Sequence, residues 1–191
     1  MRVRDRLTSA TATLMQRHGV AGTGIAQILD TSGVTRRSIY LNFPGGKSEL
    51  ITAATRAAGD EMTTTIREYV DEPDPVAAFA LMWSDVLTNS NFEGGCPIMA
   101  AACSGEEAPA AKEAAAEVFA NWGGILAERL ARDGIADDVA QSLATTIVAS
   151  MEGAVILSRA ARTTEPLTQV AHHLEELIDA NRPPTSRRRG R

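Results

Sequence analysis

The chain has 191 residues, 44% hydrophobic, 23% charged and only 4% aromatic, enough to bury a sizeable core and too apolar for a disordered chain. Two cysteines, Cys96 and Cys103, exclude a disulfide framework and fit a reducing compartment. The net charge of -5 would exclude a nucleic-acid partner if evenly spread, but residues 1 to 50 carry seven bases against three acids, residues 51 to 181 seven against 21, and the last ten five arginines and no acid.

The N-terminal segment is polar where a signal peptide needs its apolar stretch, so a cytoplasmic location is expected. Val3, Leu7, Ala10, Leu14 and Met15 recur at spacings of three and four and predict an amphipathic helix ending at His18-Gly19. Thr23 then precedes a short helix over Gly24 to Thr31, where its hydroxyl is expected to cap open N–H groups. Ser32-Gly33 ends that helix, and a third runs from Thr35 to about Leu41 before Pro44-Gly45-Gly46. Two short helices around a glycine-containing turn, the second opening on a cluster of donors, form a helix-turn-helix. Lys47 to about Val70 reads as one long helix, broken at Asp71-Glu72-Pro73-Asp74-Pro75. Helical patterns continue at about 75–90, 97–104, 109–133, 136–161 and 166–181, with no strand pattern. The fold expected is all-α, about nine helices. Residues 1–62 form a helix-turn-helix head of three helices, 63–181 a helical ligand-binding and dimerisation bundle, and 182–191 a disordered basic tail. The longest apolar stretch, Ile147 to Leu157, is interrupted by Ser150, Glu152 and Gly153 and is too short to span a bilayer, so no membrane partner is expected.

The third helix carries the DNA-reading chemistry. Arg36 and Arg37 offer forked donors for guanine edges or phosphate, Thr35 and Ser38 add hydroxyls, Tyr40 adds a phenol one turn on, and Asn42 can donate to phosphate or adenine. Lys47, at the start of the long helix, makes a second phosphate clamp, and Thr23 can act likewise at the second helix. Gly19, Thr23, Ile25, Ile28, Gly33-Val34 and the run Ser38-Ile39-Tyr40-Leu41-Asn42-Phe43-Pro44-Gly45-Gly46-Lys47-Ser48-Glu49-Leu50 resemble the DNA-binding domain of TetR-family regulators. The resemblance implies that Tyr40 and Lys47 occupy phosphate-contacting positions and that Thr35, Arg36, Arg37 and Ser38 begin the recognition helix. Phe43-Pro44-Gly45-Gly46-Lys47, with Gly95-Cys96-Pro97 and the alanine-rich segment after it, is similar to the LmrA/YxaF-like subfamily, whose repressors often govern multidrug efflux pumps. Arg37, Leu29 and Leu41-Asn42 depart from the family's usual glycine, alanine and paired rings, which bears on the operator sequence and not on DNA binding itself.

So short a head reads few base pairs, so a homodimer on a palindromic operator is expected. Its frame is the last two long helices, where Ala144, Ile147, Val148, Met151, Ala154, Val155 and Leu157, with Leu167, Val170, Leu174, Leu177 and Ile178, serve as core, as interface, or as both. The body's large or adaptable side chains, Phe79, Trp83, Phe92, Met99, Cys103, Phe119, Trp122 and Met151, are candidate walls for a small apolar or drug-like effector. Glu152, an acid in an apolar run, either meets a cationic ligand or is a hydrogen-bonded or interface-facing carboxylate. The expected function is a repressor released by its effector through a population shift, serving an efflux pump or detoxifying enzyme. The alternative is a redox-controlled regulator or an activator using Cys96 and Cys103. His18, His172 and His173 lie far in sequence from the cysteines and no nucleophile, metal-ligand or phosphate-loop spacing appears, so no enzyme, metal site or cofactor is expected.

Overall fold

The computed structural model describes residues 1–183, so the expected tail lies outside them except for Arg182 and Pro183. Among the described residues there are nine α-helices and no strand: α1 (Val3–His18), α2 (Ile25–Ser32), α3 (Arg36–Asn42), α4 (Gly46–Tyr69), α5 (Pro75–Asn89), α6 (Pro97–Ala102), α7 (Pro109–Arg132), α8 (Asp137–Ala161) and α9 (Glu165–Asn181).

The head closes on a small core of Leu7 and Leu14 from α1, Ile28 from α2, Ile39 from α3, Phe43 just after it, and Leu50 from the start of α4. Gly33 ends α2 at φ +63°, where its N–H reaches the Leu29 carbonyl at 2.9 Å, a left-handed cap that a side chain would strain. The start of α2 corrects the expected cap. Gln27 Oε1 accepts the Gly24 N–H at 2.9 Å, while Thr23 is fully buried and its hydroxyl donates backwards to the Gly19 carbonyl at 2.7 Å. A threonine that donates to the carbonyl four residues earlier has no proton left for a phosphate, and its oxygen takes no N–H of α2.

α4 starts in the head and ends in the body, so the expected boundary at residue 62 falls inside a continuous helix. α7 crosses it closely at Gly59, where an added Cβ would lie 2.5 Å from Val118 Cγ2. α6 is a short wedge between the two parts, packed on α1 and α4 on one side and on α7 on the other. α8 packs against α7 and α9, and α5 covers α9. The sequence did not lead us to expect a membrane-length apolar helix, yet α8, with mean hydropathy 1.3, is long and apolar enough by composition, because alanine, isoleucine, valine and leucine flank the polar interruptions. Its inner face is covered by α7 and α9. Ala144, Ile147, Met151, Ala154 and Val155, with Leu167, Leu174 and Ile178, are buried within the protomer and are core. Ile156, Leu157 and Leu177 keep 45%, 58% and 40% of their surface exposed.

Candidate nucleic-acid interface and ligand cavity

Of the seven cations in the first fifty residues, most have partners within the fold. Arg2 pairs with Asp5 at 3.2 Å, Arg4 donates to the Asn42 carbonyl at 2.7 Å and lies over the Phe43 ring, Arg6 caps the end of α2 through the Ser32 carbonyl at 2.6 Å, and Arg17 faces Glu93 at 3.7 Å. Arg36 and Arg37 have no hydrogen bond or ion pair among the described residues, and both stand exposed on the first turn of α3. Tyr40 follows on the same helix with half its surface open. Thr35 and Ser38 share a hydrogen bond at 3.0 Å, which fixes their hydroxyls at the start of α3. The Asn42 amide donates to the Ser38 carbonyl at 2.8 Å, so one of its two N–H groups is committed to its own helix. Lys47 is also engaged: its ammonium lies 3.4 Å from Glu107 Oε2 on the loop between α6 and α7. The Gly45 N–H ahead of α4 is taken by Glu49 at 2.8 Å, so a side-chain carboxylate occupies that end of the helix. The geometry therefore offers an exposed face of Arg36, Arg37 and Tyr40 on the second helix of a helix-turn-helix, with Lys47 tied to the body.

The body encloses a cavity of about 170 Å³ between α4, α5, α7, α8 and α9. Phe79, Trp83, Trp122, Met151 and Glu152, expected as ligand walls, all line it. Trp122 is held by its indole N–H, which donates to Thr63 Oγ1 at 3.0 Å, and by Phe119, whose ring meets it edge-on at 5.3 Å. The sequence reading missed the α4 wall of Met62, Ile66 and Tyr69, and it missed the polar mouth. There Arg129 pairs with Asp133 and lies 4.0 Å from Asp71, while Arg182 bonds Asp179 at 2.6 Å and Asp133 at 3.1 Å. Glu175, on α9, completes the lining. Burial pushes the Glu152 carboxyl up to about 7 despite a hydrogen bond from the Cys96 thiol, and Glu152 Oε2 and Glu175 Oε1 are buried with no hydrogen-bond partner among the described residues.

Four expected ligand residues lie elsewhere. Phe119 stands behind Trp122 as its support and does not line the cavity. Phe92 sits in the turn after α5 at φ +59°, beside Asn91 at φ +54°, and Arg162 steadies both by donating to Asn91 Oδ1 at 2.7 Å and lying 5.8 Å from the Phe92 ring centre. Met99 and Cys103 border a shallow recess between the end of α1 and α6. Size alone marked these residues in the sequence; orientation removes them from the cavity.

Cys96 caps the start of α6 and Cys103 follows its last residue, so about 10 Å of helix rise separates them, too far for a disulfide. Burial, and then the charge of Glu152, hold the Cys96 thiol well above its ordinary range, so it stays protonated and unreactive. The separation of Cys96 from Cys103 argues against a disulfide between the two, while the Cys103 thiol is free and exposed. On the outer face of α9, the exposed His172, His173 and Glu176 bring three possible metal-ligand atoms within 4.8 Å, a cluster the sequence reading did not expect. Hydrogen bonding from His173 and the charge of His172 lower the Glu176 carboxyl, which accounts for the cluster as a His–Glu surface pairing.

Residues 7–54 match a family model described as bacterial regulatory proteins of the tetR family, and residues 74–173 match one described as the transcriptional regulator LmrA/YxaF-like, C-terminal domain. An uncharacterized HTH-type transcriptional regulator of Mycobacterium tuberculosis H37Rv is 34% identical, over 96% of this chain and 98% of its own length. The HTH-type transcriptional regulator LmrA of Bacillus subtilis is 29% identical over 92% of this chain and 96% of its own. Among solved structures, a TetR transcriptional regulator from Chloroflexus aurantiacus superposes with TM-score 0.77 at 29% identity, covering 94% of this chain and 96% of that one. The regulatory protein TetR from Rhodobacter sphaeroides reaches TM-score 0.81 at 18% identity over 91% and 97% of the two chains, which speaks for the fold alone.

Proposed function

Since the chain belongs to the TetR family of helix-turn-helix transcriptional regulators, a class of DNA-binding proteins and not of enzymes, we propose that it is a cytoplasmic repressor released from its operator by a small organic effector. The observation that carries this reading is the aromatic-walled cavity in the body, joined to the head by the continuous helix α4. Residues 1–62 grip DNA through Arg36, Arg37 and Tyr40, with Lys47 and the Thr35–Ser38 pair at the edge of the contact. One head spans too few base pairs for useful affinity, so two act together on a palindromic operator. The outward Ile156, Leu157 and Leu177 on α8 and α9 supply the apolar surface for that homodimer.

The effector acts by preferring a conformation whose head spacing mismatches the operator. A ligand that fills a cavity walled by tryptophan and phenylalanine belongs to the kind of compound a cell exports or modifies, so the controlled genes encode an efflux pump or a detoxifying enzyme. Mobility shift on the DNA upstream of the protein's own gene, at stated salt, checks the first step. A retarded complex is expected, lost in Arg36→Ala/Arg37→Ala. If no palindromic site in that DNA is retarded, the reading is wrong.

A further inference from the structure

We propose that the effector is an aromatic organic cation, its ring seated among Phe79, Trp83 and Trp122 and its ammonium received by Glu152 and Glu175. The proposal rests on the ligand-released reading above and names the chemistry of that ligand. Two carboxylates from different helices line the same cavity, Glu152 from the middle of α8 and Glu175 from α9. One oxygen of each is buried without a hydrogen-bond partner among the described residues. A buried acceptor left unpaired is costly, and two around one cavity are uncommon unless something arrives to satisfy them.

The two cations at the cavity do not supply that partner. Arg129 is engaged by Asp133 and Asp71, and Arg182 by Asp179 and Asp133. A neutral apolar guest would fill the space and leave both oxygens unpaired. An anion would be opposed by Glu152 and Glu175 inside and by the aspartates at the mouth. A cation with N–H donors removes both defects, and the indole and phenyl walls favour positive charge over their faces. Charge-assisted hydrogen bonds in a site screened from water are also stronger than neutral ones.

The test is a charge series on one ring system: naphthylmethylammonium, neutral naphthylmethanol and anionic naphthoate, titrated calorimetrically into the full chain at about pH 8, where a primary amine remains protonated. The ammonium compound is expected to bind roughly tenfold or more tighter than the alcohol, and the acid most weakly. Glu152→Gln and Glu175→Gln should each move the amine-to-alcohol affinity ratio towards one. Equal or tighter binding of the alcohol or acid by the unaltered protein overturns the proposal, as does an unchanged ratio in both variants. Operator mobility shifts run with the same compounds separate the two readings. Retardation relieved by the alcohol and not by the amine overturns the cation and leaves the release mechanism standing. The calorimetric order without any retardation supports the cation and overturns the repressor.

Discussion

Glu152 is the residue at which folding and binding conflict most openly. Its carboxyl, at about 7 in the fold against an ordinary 4.5, is neutralised by burial over a range where an exposed carboxylate would be charged. The groups that share its cavity or touch it are Cys96 just before α6, Tyr69 at the end of α4, Asp74 before α5, Arg129 and Asp133 at the end of α7, Glu175 and Asp179 on α9, and Arg182 just after it. The arginines there are already paired, and the Cys96 thiol stays neutral, so desolvation dominates. For a carboxyl raised on folding, the folded state holds its proton longer than the unfolded chain. The resulting stability is fully present below 4.5 and is lost as pH rises through 7, amounting to about 3 kcal/mol. Glu152→Gln keeps the shape of the protonated acid and cannot ionise. Urea unfolding at about pH 5 and about pH 8 should therefore show the native protein losing stability over that interval relative to Glu152→Gln. Identical pH dependence in the two proteins would show that Glu152 ionises freely in the fold.

At the level of elements, the crossing of α4 and α7 sets how firmly the head is carried by the body. Gly59 permits that approach, since its missing Cβ would press on Val118 Cγ2 at 2.5 Å and Cγ1 at 3.1 Å. Alanine has the better helix propensity by about 1 kcal/mol, while overpacking a stiff β-branched neighbour costs about 1–3 kcal/mol. Gly59→Ala should thus lower the unfolding midpoint in the native background and raise it in Val118→Ala, where the space is open. Stabilisation in both backgrounds would mean that the crossing is loose. The crossing was not readable from sequence, because Gly59 looks like any weak point in a long helix. The helices themselves were readable to within a residue or two, since glycine and proline punctuate nearly every end. The exposed face of Arg36, Arg37 and Tyr40 was readable because its residues are near neighbours in sequence, whereas the cavity draws on five helices. Its bulky walls showed through their size, but Met62, Ile66 and Tyr69 look like the inner stripe of a connecting helix, and Phe92 and Met99 are as large as true wall residues. Thr23 failed for a narrower reason: a hydroxyl beside a helix start can bond forwards as a cap or backwards to a carbonyl, and spacing does not choose between them.

Across the whole molecule, the acidic body holds the basic head through a few specific contacts. Arg17 faces Glu93 at 3.7 Å, Arg159 of α8 donates to the Arg17 carbonyl at 3.5 Å, and Lys47 faces Glu107 at 3.4 Å. Between them lies α6, which packs on α1 and α4 and is preceded by Cys96, a neighbour of Glu152. Events at Glu152 thus have a short mechanical route to the head. On the proposed reading the Lys47–Glu107 pair adds an electrostatic one, because Lys47 leaves Glu107 to hold an operator phosphate. Both side chains are partly exposed, so the pair is a modest latch of about 0.2–1 kcal/mol. Glu107→Gln should tighten operator binding up to about fivefold at low salt. Removing an acid near DNA also lowers general repulsion, and a double-mutant cycle separates the two effects. In a Lys47→Ala background the gain from Glu107→Gln should shrink towards nothing if the latch is specific, whereas diffuse repulsion would leave the gain unchanged. The second outcome, or weaker operator binding by Glu107→Gln alone, would show that the body does not compete with DNA for Lys47.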